Sequence, residues 1–139
     1  MIQNRVIRSS VVRYKERSLR RYRYPALLRE NFVSQPAVFW RREFGESVGP
    51  LDESLHWTMD YDLWLRMGRR ADPLLLDRVL ARFRLHAGSK TGQADRRQFD
   101  EQYAVARRYL GGDRVSQAVH RFNVEKIVWA YRAMRVMGW

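Results

Sequence analysis

The stretch TMDYDLWLRMG, residues 58–68, has the clearest helix pattern in the chain. Thr58 is a residue type that is favoured at a helix N-cap, and Gly68 is suited to the end of a helix. The apolar positions between them form one broad stripe, made by Tyr61, Leu63, Trp64, Leu65 and Met67. We therefore predict a helix here, with its apolar side turned into a core.

On the N-terminal side of this helix the pattern is mixed. Pro25 can open a short helix that ends near Arg29, because proline is tolerated at a first helical position. The β-branched and aromatic residues of Val33–Trp40 favour a strand, although Pro36 within it indicates an edge or a bend. Arg41–Val48 predicts a short helix that ends at Gly49 and Pro50. Residues 1–24 favour neither helix nor strand.

On the C-terminal side, Pro73–Leu76 and Val79–Leu85 are typical of short strands separated by Asp77 and Arg78. Beyond Gly92 the apolar spacing becomes helical, first over residues 99–110 and then over Val115–Met137. These elements predict a chain with both strands and helices.

The composition allows one modest core in 139 residues, and there is no cysteine to form disulfides or thiolate metal sites. The net charge of +12 is concentrated in the flanks, whereas residues 43–91 hold 7 basic and 8 acidic groups. The acids of this middle segment are therefore the place to expect chemistry. No apolar run is long enough for a membrane span, so we expect a cytoplasmic protein, or one at the inner face of the membrane.

Four motifs occur in order through this region. They are SQPAVFWRR at Ser34–Arg42, VGPLDESL at Val48–Leu55, MDYDLWLR at Met59–Arg66 and RLHAGSKT at Arg84–Thr91. Together they resemble the acceptor and catalytic half of family 2 glycosyltransferases. The resemblance implies an α/β protein with part of a GT-A-like fold, in which a short mixed sheet packs with helices and is followed by a helical C-terminus.

The resemblance also implies roles for single residues. Asp60 matches the general base, which takes the proton of an acceptor hydroxyl. Asp52, Glu53 and Met59 match the acceptor site, where Met59 replaces the usual glutamate. The metal and diphosphate side is matched by His86, Ser89, Lys90 and Thr91.

The predicted organisation is a basic segment over residues 1–30, a transferase-like core over 31–91 and helices over 92–139. The nucleotide-binding half of such enzymes has no counterpart, because the only Asp-x-Asp, at Asp60 and Asp62, lies in the later motif. Nucleotide sugar, saccharide acceptor and Mg²⁺ or Mn²⁺ are therefore expected only for the complete enzyme. The chain alone is expected to be inactive and to self-associate, and a truncated reading frame would have the same motifs.

Two other functions stay open. One face of the last helix is apolar and has cations among its residues, which fits either a packed helix or a non-catalytic module on an anionic membrane or a protein partner. Its apolar residues are Val124, Ile127, Val128, Tyr131 and Met134, and its cations are Arg121, Lys126, Arg132 and Arg135. Arginine and tyrosine alternate within residues 13–24, but no nucleic-acid recognition motif accompanies them, so specific nucleic-acid binding is not expected.

Overall fold

The computed structural model describes the backbone of residues 10–81 and 96–136, and the side chains of residues 13–81 and 96–129. Within these ranges the chain forms six α-helices and one 3-10 turn. They are α1 (Ser10–Arg20), α2 (Tyr24–Arg29), a 3-10 turn (Gln35–Ala37), α3 (Arg42–Val48), α4 (Met59–Gly68), α5 (Arg96–Leu110) and α6 (Arg114–Val136).

The prediction of an α/β fold with a short mixed sheet is wrong for the residues that the structure describes, which contain no strand. The predicted strand Val33–Trp40 is irregular around a 3-10 turn in which Pro36 occupies an early position. Pro73–Leu76 is irregular and exposed. Both segments have residues that favour strands, but a strand forms only when its backbone makes hydrogen bonds to a partner strand. The described residues contain no such partner strand. The predicted strand Val79–Leu85 is irregular at residues 79–81 and otherwise lies outside the described residues.

The predicted helices are confirmed, because α2, α3, α4, α5 and α6 coincide with the proposed segments within a few residues. Helix α3 ends at Gly49, whose φ of 94° lies in the left-handed region that favours glycine. Arg66 donates from Nη1 to the carbonyl oxygens of Val48 and Gly49 at 3.0 and 3.2 Å. The side chain therefore satisfies backbone acceptors that the end of a helix leaves open.

Helix α4 is the centre of the main core. Tyr61 and Leu65 have no solvent exposure, and the Tyr61 hydroxyl donates to the carbonyl oxygen of Leu27 at 2.8 Å. Val105 and Ala106 of α5 complete this packing. A second, smaller cluster joins α5 to α6 and consists of Phe99, Val124 and Val128, with Ile127 beside it. Val124, Ile127 and Val128 of the face identified in the sequence are thus packed on α5, and the side chains of Tyr131 and Met134 lie outside the described residues.

Helix α1 was not expected from the sequence. Leu19 packs against the main core, and the hydroxyl of Tyr14 donates to Glu30 Oε2 at 2.7 Å. Both contacts join residues that are distant along the chain, so local periodicity could not reveal them.

Candidate functional site

The loop of residues 49–58 leads into α4 and contains the acids Asp52 and Glu53. Asp52 holds the N-terminal part of this loop. Oδ1 of Asp52 accepts from the backbone N–H of Ser54 at 3.1 Å and from its hydroxyl at 2.5 Å. Oδ2 accepts from Nη1 of Arg108, on α5, at 2.8 Å. The hydrogen bond from the Ser54 hydroxyl, followed by that from Arg108, lowers the pKa of Asp52 to about 2. Asp52 is therefore an ionised carboxylate that fixes the loop.

The C-terminal end of the loop is held by Glu101, also on α5. Its carboxylate accepts from the backbone N–H groups of His56, Trp57 and Thr58 at 3.1, 2.8 and 2.9 Å. It also accepts from the Thr58 hydroxyl at 2.7 Å. Burial acts to raise the pKa of Glu101, but the hydrogen bonds from Thr58 and the loop amides outweigh it, and the pKa lies below its ordinary value.

Thr58 occupies the predicted N-cap position, but its side chain does not cap α4. The hydroxyl donates to Glu101 instead, and the Thr58 side chain is buried. Glu101 and Arg108 lie seven residues apart and so share one face of α5. That face holds both ends of the loop and thereby positions the start of α4.

Asp60 lies in the first turn of α4 and is half-buried. Its Oδ1 accepts from the backbone N–H of Tyr61 at 2.7 Å. Burial raises the pKa of Asp60, while the hydrogen bond from Tyr61 and the positive charge of Lys15 act in the opposite direction. The start of a helix favours the ionised form of a carboxyl group, but burial is the stronger influence on the pKa of Asp60.

Lys15, on α1, is the charged residue near Asp60 that the sequence analysis missed. Burial lowers the pKa of the Lys15 ammonium, and the negative charges of Asp60 and Glu30 partly restore it. One sequence signal was present, since only 3 of the 27 cations are lysine. Lysine, unlike arginine, changes its pKa readily when it is buried.

Asp62 has a structural role. Its side chain is 5% exposed and accepts from Nε of Arg66 at 2.9 Å and from the Tyr109 hydroxyl at 2.6 Å. Asp62 and Arg66 lie four residues apart on α4, so their pairing is a local contact on the helix surface. Because Asp60 and Asp62 lie about 200° apart around the helix, they do not form one carboxylate pair.

The other predicted site residues have different surroundings. Glu53 is exposed, and Met59 is half-buried against the main core. The four residues assigned to the metal and diphosphate side lie outside the described residues: His86, Ser89, Lys90 and Thr91.

Among the described residues, the acids of the loop and of α4 are not arranged as a divalent-cation site. Within residues 10–81 and 96–136 no group of three His, Asp or Glu side chains is placed to hold a metal ion. In the only Asp-x-Asp of the sequence, both carboxylate oxygens of Asp62 accept hydrogen bonds, one from Arg66 and one from Tyr109, so they are not open to a metal. Any metal chemistry must therefore use ligands other than this pair.

Replacing Lys15 by methionine should raise the pKa of Asp60 further, because it removes a positive charge that favours the carboxylate. Titration of the Asp60 carboxyl carbon by NMR measures this shift. Lys126→Met is the matched control, since the Lys126 ammonium lies 4.0 Å from Glu30 and does not act on Asp60. Equal pKa values of Asp60 in the wild type and Lys15→Met would contradict the assignment.

Comparison with known proteins does not extend this description. No protein-family model, no curated protein and no solved structure matches the chain. The resemblance to family 2 glycosyltransferases therefore depends on the four motifs alone, and an activity can be stated only as a proposal.

Proposed function

We propose that this chain is the acceptor-side part of a sugar-nucleotide-dependent glycosyltransferase, with Asp60 as the general base. The acceptor is a saccharide or a lipid-linked acceptor. Asp60 takes the proton of an acceptor hydroxyl as that oxygen bonds to the anomeric carbon of the donor. The bond from this carbon to the diphosphate breaks, and the nucleoside diphosphate leaves with the bonding electrons.

The observation that carries the proposal is the difference among the four acids of residues 52–62. Asp52 and Asp62 are engaged by arginines, and Glu53 is exposed to solvent. Asp60 combines partial burial with the lack of an ion pair among the described residues, and its pKa is raised. A carboxylate whose pKa is moved towards neutrality is a better proton acceptor than an ordinary aspartate.

The donor nucleotide is assigned to a separate donor-binding segment, while His86, Ser89, Lys90 and Thr91 stay assigned to the metal and diphosphate side by the resemblance. The donor assignment is supported by the lack of a second Asp-x-Asp in the sequence and by exposed apolar residues around the candidate core. Leu74 and Val79 are 86% and 81% exposed in an irregular segment, and Phe39 is 74% exposed. Such residues are suited to being covered by further polypeptide.

Titration of the labelled chain with a panel of saccharides, followed by NMR, tests the acceptor role. We expect shifts in the amide signals of residues 52–60, and an affinity at least about tenfold weaker in Asp60→Asn, equivalent to about 1.4 kcal/mol. Asp72→Asn, an exposed acid outside the loop, should bind like the wild type. The acceptor role is contradicted if no saccharide changes these signals.

Calorimetry with UDP-sugars and GDP-sugars in the presence of Mn²⁺ tests the donor assignment separately. The chain alone should show no saturable binding. A clear binding isotherm would overturn the assignment of the donor site to a separate segment, while leaving the acceptor role to be judged by the saccharide titration.

A further inference from the structure

Helix α6 has an apolar face that no described residue covers. Its inner face is packed, since Val124 and Val128 are buried against Phe99. On the outer face Val115, Phe122 and Trp129 are 69%, 70% and 74% exposed. These three residues recur every seven positions, which is almost two helical turns, so they form one stripe along the helix.

Cations accompany the stripe. Arg114 and Arg121 are exposed and lie along one edge of it. The only acid of α6 is Glu125, which accepts hydrogen bonds from Arg96 of α5. The negative charge on this face is thus compensated by a cation. Arg121 lines a small cleft between α5 and α6 that also contains Asp100 and Glu125, and both Arg114 and Arg121 are exposed to solvent.

A shallow, open depression lies within this surface. It is lined by Phe122, Trp129 and Val128 together with the side chains of Glu125 and Lys126. The Lys126 ammonium is 4.0 Å from Glu30 and 3.5 Å from the Tyr14 hydroxyl, so it leans towards the inner side. The outer part of the depression is therefore formed by the aromatic side chains of Phe122 and Trp129.

The pattern is unsuited to pairing with a second copy of the helix. A coiled coil requires two apolar positions in each group of seven residues. Here the second row contains Ala118 and then Glu125, so a charge falls in its middle. A single row of large apolar residues beside arginines is instead the pattern of a helix that lies in the plane of a lipid interface.

We propose that the outer face of α6 lies on an anionic membrane surface, independently of the proposed glycosyl transfer. Phe122 and Trp129 enter the boundary between headgroups and acyl chains, and Arg114 and Arg121 bind lipid phosphates. At 23 residues the helix is about 35 Å long and can contact several headgroups. Within the described residues no helix is both long and apolar enough to cross a bilayer.

Vesicle flotation of the full chain tests this inference. We expect binding to vesicles of phosphatidylcholine with about one-third phosphatidylglycerol, weaker binding as salt is raised, and little binding to phosphatidylcholine alone. The double substitution Phe122→Ser with Trp129→Ser should weaken binding by at least about tenfold, because it removes two large apolar side chains from the interface. Arg114→Gln with Arg121→Gln should weaken binding to anionic vesicles only.

The matched control is Leu74→Ser with Val79→Ser, which removes two apolar side chains that are even more exposed, at 86% and 81%, from a different surface and should leave flotation unchanged. Circular dichroism checks that each variant stays folded, and the arginine variant keeps the test decisive if the aromatic variant unfolds. The inference is overturned by absent binding to anionic vesicles or by equal binding of the α6 variants and the wild type. It is also overturned if light scattering shows a dimer that the aromatic substitutions dissociate while the vesicles bind nothing.

Discussion

Replacement of Leu65 by alanine should lower the free energy of unfolding by about 3 kcal/mol, the largest loss of stability expected from a single substitution here. Leu65 is fully buried in α4 between residues of α2 and α5. Truncation removes apolar surface that folding buries and leaves a cavity that the surrounding helices fill only in part. Urea unfolding of the wild type and of Leu65→Ala, followed by circular dichroism at pH 7, measures the change.

Leu74→Ala is the matched control, because it removes the same atoms from a side chain that is 86% exposed. Its effect should stay within about 0.5 kcal/mol. If the two leucine substitutions cost the same, α4 cannot be the centre of the core, and the packing described for α2, α4 and α5 would have to be revised.

Replacement of Glu101 by glutamine should lower the free energy of unfolding by about 2 kcal/mol at pH 7. The carboxylate accepts three backbone N–H groups and one hydroxyl at the end of the loop. An amide presents only one oxygen acceptor, and its NH₂ group faces donors, so some of these N–H groups lose their partner. The loss of stability is smaller than for a fully buried group, because the Glu101 side chain is partly exposed to water.

The same substitution should remove a dependence of stability on pH. The folded pKa of Glu101 lies below the ordinary value of 4.5, so its contribution is fully present above pH 4.5 and is lost as the pH falls through the folded pKa. Wild-type stability should therefore decline more steeply below pH 4.5 than that of Glu101→Gln. Denaturant unfolding at a series of pH values measures both slopes.

Two further variants define what Glu101 does. Glu46→Gln, on the exposed side of α3, should behave like the wild type at every pH. Thr58→Val removes the hydroxyl but keeps the backbone N–H groups, so its cost should be smaller than that of Glu101→Gln. A Glu101→Gln protein as stable as the wild type would show that α5 does not hold the start of α4, and hence does not position Asp60.

The sequence alone predicted most of the helices. A helix closes its hydrogen bonds between neighbours in the chain, so the apolar stripe of Tyr61 to Met67 and the stop at Gly49 are sufficient to predict α4 and the end of α3. The pairing of Asp62 with Arg66 is local for the same reason, because side chains four residues apart are adjacent on a helix.

Tertiary structure decided the features that join distant parts of the chain. Val33–Trp40 and Pro73–Leu76 have strand-like residues, but a strand requires a partner, and the described residues provide none. The carboxylate of Glu101 and the guanidinium of Arg108 reach a loop more than 40 residues away, and Lys15 acts on Asp60 from a helix that the sequence did not predict. The sequence indicated Asp60 as the candidate base, whereas its burial, its raised pKa and its charged neighbour follow from the packing of α1, α4 and α5, because contacts between distant segments have no local pattern.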